Sequence, residues 1–178
     1  MLLKIENFFN KVADFIGNLT SILMILMMLN VFFDVVMRYF FNTGSIAMQE
    51  LEWHFFSVII LLGISYTLKE DGHVRVDVIY DRLSVRKKAV INIVGILLFL
   101  IPFALFIGVG SFDFVKEAYV SGEISADPGG LTHRWILKAF IPFSFFLLVF
   151  ISIGFLVRNI NLYRGIHTPH QRNLEGEV

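Results

Sequence analysis

The residues of this chain that could do chemistry gather at the ends of long apolar stretches rather than inside them. Asp34 and Arg38 stand one helical turn apart, a spacing that places opposite charges on one face. Glu50 and Glu52 stand just ahead of another apolar run, where carboxylates complement the positive end of a helix dipole. Arg38 and Glu50 flank one short connection, so a polar link between them is expected without any long-range assembly. Lys138 opens the last apolar run and, like Glu52, reads as a solvated helix end, because a side chain at such a position snorkels to the interface at little cost. After the second run, His73, Arg75 and Asp77 alternate with Val74, Val76 and Val78. An imidazole, a guanidinium and a carboxylate in that order suit hydrogen bonds that fold the connection against its own helices or against a partner.

Other chemistry is poorly served. Haem or quinone binding would need histidines facing each other within the spans, whereas His54 stands alone at the mouth of one span and His73, His133, His167 and His170 lie in connections or the tail. A proton relay would need carboxylates along the depth of the bundle, and the apolar cores hold none. No nucleophile-and-base pair, phosphate loop or metal spacing stands out. With no cysteine, disulfides and thiolate metal sites are out of reach. The expectation is a chain that is not an enzyme, with no cofactor, metal or nucleic acid bound to it.

The elements that must position these residues follow from hydropathy. Of 178 residues, 56% are hydrophobic, above the ~45–50% of soluble domains, and the mean hydropathy is +0.72. Four apolar stretches, at about 15–33, 53–68, 89–112 and 139–157, compare with the ~20 residues that cross a hydrocarbon core. Unpaired backbone groups are too costly in lipid for anything but helices or a closed barrel, and these stretches lack the alternation of barrel strands. The expected fold is all-α: an integral membrane protein with four transmembrane helices in one domain, 1–164, followed by a polar tail, 165–178. The second run is short, so its helix must extend past the flanking charges or let them snorkel. The third is the longest, which implies tilt and a helix reaching about Val120.

Residues 1–16 set Leu2, Ile5, Phe9, Val12 and Ile16 on one face and Glu6, Asn7, Asn10, Lys11 and Asp14 on the other, the pattern of an interfacial amphipathic helix feeding the first span. Glu6 and Asp14 interrupt the N-terminus, and no small-residue cleavage site precedes the first span, so this is not read as a cleaved signal. Asn42, Gly44 and Ser45 mark one turn, Asp71 and Gly72 a breaker, and Asp127, Pro128, Gly129 and Gly130 another turn. With an inside N-terminus, only Arg38, Lys116, Arg134 and Lys138 of the 15 Lys and Arg fall outside. The positive-inside rule therefore puts both termini in the cytoplasm. Twenty phenylalanines and six methionines give broad apolar faces that suit either lipid or a larger membrane partner, and Gly95, Gly108, Gly110 and Gly154 permit close helix approach.

The run Arg38-Tyr39-Phe40-Phe41-Asn42, then Gln49-Glu50-Leu51, Gly63, and Gly72-His73-Val74-Arg75-Val76-Asp77 resembles the small, DctQ-like membrane subunit of tripartite ATP-independent periplasmic (TRAP) transporters. The spacing from Glu50 to Gly63 to His73 agrees with that family's pattern, although the family often has paired acidic residues where this chain has Gln49-Glu50, so the acidic role passes to Glu50 alone. The resemblance implies a sodium-driven system for organic carboxylates, of the C4-dicarboxylate or sialic acid type, in the bacterial inner membrane. A soluble periplasmic binding protein delivers substrate, a large multi-helix subunit carries it with its sodium, and the small subunit supports the large one. Arg38, Glu50, His73, Arg75 and Asp77 then become structural or partner-interface residues. The competing reading is a small membrane anchor of a redox complex that binds haem or quinone; an autonomous channel would need a polar stripe through the bundle, which is absent.

Overall fold

A long apolar run in lipid becomes a helix because only a helix satisfies its own backbone groups locally. The computed structural model describes residues 2–73, 80 and 82–166. Within them lie four helices long and apolar enough to cross a membrane: α1 (Leu2–Phe40), α2 (Ile46–Lys69), α3 (Val85–Val120) and α4 (Trp135–Tyr163). No strand occurs among the described residues. α2 makes up for its short apolar run by starting at Ile46, ahead of Glu50 and Glu52, and its 24 residues rise about 36 Å, more than the ~30 Å core.

The amphipathic segment and the first span are one uninterrupted helix of 39 residues. Its inward face differs from the expected one. Glu6, assigned above to the polar face, is fully buried, because it stands at the border of the apolar stripe, about two turns before Ala13. From Glu6 through Phe9, Ala13, Ile16 and Thr20, and again from Asn30 to Asp34, the buried positions advance by alternating threes and fours. That is the stepping of a helix-helix seam. The seam carries small and polar side chains, while Phe15, Met24, Met28 and Phe32 on the other faces are exposed. In a bilayer this is the economical arrangement, since lipid is as apolar as Leu and helices associate through close approach and polar contacts.

α4 packs on each of the other three helices. One apolar cluster joins Leu68, Ile96, Ala104, Leu148 and Phe155, and a second joins Phe9, Ala13 and Ile151. Two glycines let rings in where a Cβ would not: a methyl on Gly17 would stand 2.5 Å from Tyr66 Cδ2, and one on Gly154 would stand 2.8 Å from Phe9 Cγ. α3 contains a π-helical turn over Ile96–Leu100 directly ahead of Pro102, whose ring crowds the preceding turn and whose nitrogen donates no hydrogen bond.

Three of the helices end alike. Asp71, Gly122 and Gly165 take positive φ, and each is flanked by the paired backbone bonds of a Schellman cap, for example Asp71 to Leu68 and Gly72 to Thr67 after α2. The caps consume orphan carbonyls at helix ends. The expected breaker at Asp71-Gly72 and the end of the third helix near Val120 are thus observed, with their mechanism.

Candidate functional site

At one end of the bundle, Glu50 holds a loop in place. It stands in the second turn of α2, past an N-cap Ser45 whose side chain makes no cap bond, and it is buried. Its carboxylate accepts the Ser125 hydroxyl and the backbone N–H of Leu131 at 2.6 Å, and Arg134 Nη2 approaches to 3.7 Å. All three partners belong to the connection between α3 and α4. That connection is preshaped: Gly130 N–H donates to the Asp127 carbonyl and Ser125 N–H to that of Leu131, while Gly129 has φ +86. A Cβ on Gly130 would stand 2.8 Å from Glu50 Oε2, so the carboxylate fits only against a glycine. Lys138 ion-pairs with Glu123 and lies 3.9 Å from the Phe114 ring centre, so it is a paired group rather than simply a solvated helix end. On α1, Asn30 donates to the Met48 carbonyl at 2.9 Å, tying α1 to the start of α2.

The expected link between Arg38 and Glu50 is not formed. Arg38 pairs with Asp34, one turn back on its own helix, and Glu50 turns to the 121–134 loop instead. The physical reason is reach and burial: Asp34 is buried and needs a cation, Arg38 is at the ideal intrahelical spacing, and Glu50 lies inside a nest of donors from the other half of the chain. Sequence spacing between Arg38 and Glu50 carried no information about that third element.

The opposite end is tied by amides. Asn161 Nδ2 donates to Glu6 Oε2 at 2.8 Å, joining α1 to α4, and both residues are fully buried. Asn92 Nδ2 donates to Asn159 Oδ1 at 2.9 Å, joining α3 to α4, and Tyr80 Oη reaches Asn92 Oδ1 at 3.1 Å. Arg158 Nη1 donates to the Lys69 carbonyl at 2.9 Å, and Lys69 Nζ to Asp14 at 2.7 Å. Sequence inspection missed this network, though Asn92, Asn159 and Asn161 are short polar side chains inside helices, where each had to find a partner.

Of the signature after α2, His73 is exposed and lines a cavity of about 550 Å³ with Asp71, Tyr80 and Asn92. Arg75 and Asp77 lie outside the described residues. Two histidines that the sequence separates, His54 and His133, line one groove near Glu50.

Four spans whose buried charges are engaged by groups of the same chain define a polytopic membrane protein. The comparisons make that class specific. The family described as tripartite ATP-independent periplasmic transporters, DctQ component, matches residues 27–162, and the chain belongs to this family. Two Haemophilus influenzae proteins named as TRAP transporter small permease proteins are similar to it. One is 26% identical over 151 residues, covering 85% of this chain and 88% of the relative. The other is 29% identical over 133 residues, covering 75% and 81%. The C4-dicarboxylate TRAP transporter small permease protein DctQ of Pseudomonas aeruginosa is 29% identical over 120 residues, 62% of this chain and 55% of that protein.

Proposed function

We propose that this chain is a non-catalytic scaffold of a sodium-driven TRAP transporter for organic carboxylates, holding the large multi-helix transport subunit in the bacterial inner membrane with both termini in the cytoplasm. The observation that carries the reading is the use of buried charge. Glu6, Asp34 and Glu50 are the buried ionisable side chains described, and each is engaged by another group of this chain. A carrier instead directs polar groups and broken helix ends at a midplane substrate site. The broad exposed apolar faces on α1 and α3 suit lipid and a membrane partner, and family membership favours the transporter reading over the redox anchor. The C4-dicarboxylate in the name of the Pseudomonas relative supports a carboxylate substrate, with sodium bound on the large subunit and a periplasmic binding protein as the third component.

The test is reconstitution with the large subunit and binding protein in proteoliposomes. Asp77→Ala is expected to lower the amount of assembled complex while leaving sodium-driven uptake per assembled complex near the parental value. Normal assembly with uptake lost, or freed from sodium, would overturn the scaffold reading.

A further inference from the structure

Where α1 parts from α4, the bundle leaves a groove. The α1 contacts with α4 involve its first turns: Phe9 and Ala13 on Ile151, Phe8 on Phe150, Glu6 on Asn161. Farther along, α1 follows α2 through Gly17 and Tyr66 and through Asn30 and Met48. The wedge so opened has a volume of about 450 Å³ and is walled by Leu23, Phe55, Val58, Leu62 and Phe140, with His54, Thr132 and His133 as its polar members. Its volume falls in the ~300–1,000 Å³ range of ligand sites.

We propose that this groove seats one acyl chain of a phospholipid from the leaflet on the Glu50 side, with the phosphate at Arg134. Length is the first argument. Along α2 the lining runs from Leu51 to Leu62, about 16 Å at helical rise, and half of a ~30 Å hydrocarbon core is about 15 Å. Polarity is the second: the polar lining residues belong to the loop end, and the rest of the wall is apolar, which matches an amphiphile with its head at the membrane surface.

Charge is the third. The Arg134 guanidinium, one residue beyond His133, comes no nearer to Glu50 than 3.7 Å, beyond hydrogen-bond range, and its side chain keeps 27% of its surface exposed. It lies 5.3 Å from the Trp53 ring centre, and Trp is a residue of the membrane interface. A guanidinium with donors to spare at that depth suits a phosphate. His54 donates its Nδ1–H to the Glu50 carbonyl at 2.6 Å, because a carbonyl only accepts; its Nε2 is left free for a water or headgroup contact. The proposal needs the membrane placement but not the transport role, so its test is read without any uptake assay.

The full chain is purified in mild detergent, and native mass spectrometry with lipid extraction counts what it retains. One phospholipid per chain is expected for the parent and for Ile60→Trp, which adds bulk at an exposed position of α2. Val58→Trp, which fills the groove, should retain at least tenfold less. Arg134→Gln should retain several-fold less with helical circular dichroism unchanged, so a misfolded Val58→Trp would not shelter the idea. A parent free of phospholipid, equal retention in Val58→Trp, a co-purified quinone in place of lipid, or a crosslink from position 23 to a helix of the large subunit would each overturn it.

Discussion

Asp34 has lost nearly all contact with solvent, whereas about half of the Arg38 side chain stays exposed. Removing the arginine therefore leaves a buried carboxylate without its counter-charge, at a cost of about 1–3 kcal/mol. Removing both charges does not. Arg38→Ala is expected to lower the melting midpoint in detergent, and Asp34→Asn combined with Arg38→Ala to regain most of the loss; if the double variant melts no higher than the single one, the pair does not act as a unit. At Glu50 the partners come from a distant segment, so the readout is the loop. Glu50→Ala should open the 121–134 connection to limited proteolysis and lower the midpoint further than Ser125→Ala, which removes one donor of several. Equal proteolysis in Glu50→Ala and the parent would show that the loop holds its shape without the carboxylate.

At the level of the helix, glycine separates contacts that matter from spacing that only looks suitable. Gly108 and Gly154 do face neighbouring rings, while a Cβ on Gly95, Gly110 or Gly63 would meet nothing within 4 Å. Gly154→Ala and Gly17→Ala are each expected to destabilise by about 1–3 kcal/mol, because the Phe9 and Tyr66 rings must move in a packed interior. Gly110→Ala should be neutral or stabilising by up to about 1 kcal/mol, the ordinary helix preference for Ala over Gly. Thermal unfolding of the three variants checks this, and a destabilised Gly110→Ala would mean that the face is occupied. The seam of α1 also explains why its polar residues are inside: in lipid a small or hydrogen-bonded side chain holds two helices together better than another Leu.

For the whole molecule, orientation is a question of charge and not of packing, since a helical bundle is equally stable either way up until loops are counted. In the orientation proposed from the Lys and Arg distribution, the Glu6 end lies in the cytoplasm and the Glu50 end outside. The chain has no cysteine, so single cysteines report cleanly. A cysteine at Asp127 should react with an impermeant maleimide added to intact spheroplasts, and one at Arg86 only after permeabilisation. The reverse pattern would invert the topology.

Four helices and the family pattern could be read from residues alone, because a stretch such as 139–157 has one stable form in hydrocarbon and the cost of an unpaired backbone admits no other. The Asp34 and Arg38 pair was equally legible, being local to one helix turn. Tertiary structure decided everything that depends on which helix lies beside which. It gave Glu50 to Ser125, Leu131 and Arg134 rather than to Arg38, drew Glu6 inward to Asn161, joined Asn92 to Asn159, and brought His54 and His133 to one groove. Each of these pairs lies far apart in the chain, and hydrogen bonds act over about 3 Å, so periodicity can name the helical face a residue occupies but not the neighbour that face will meet.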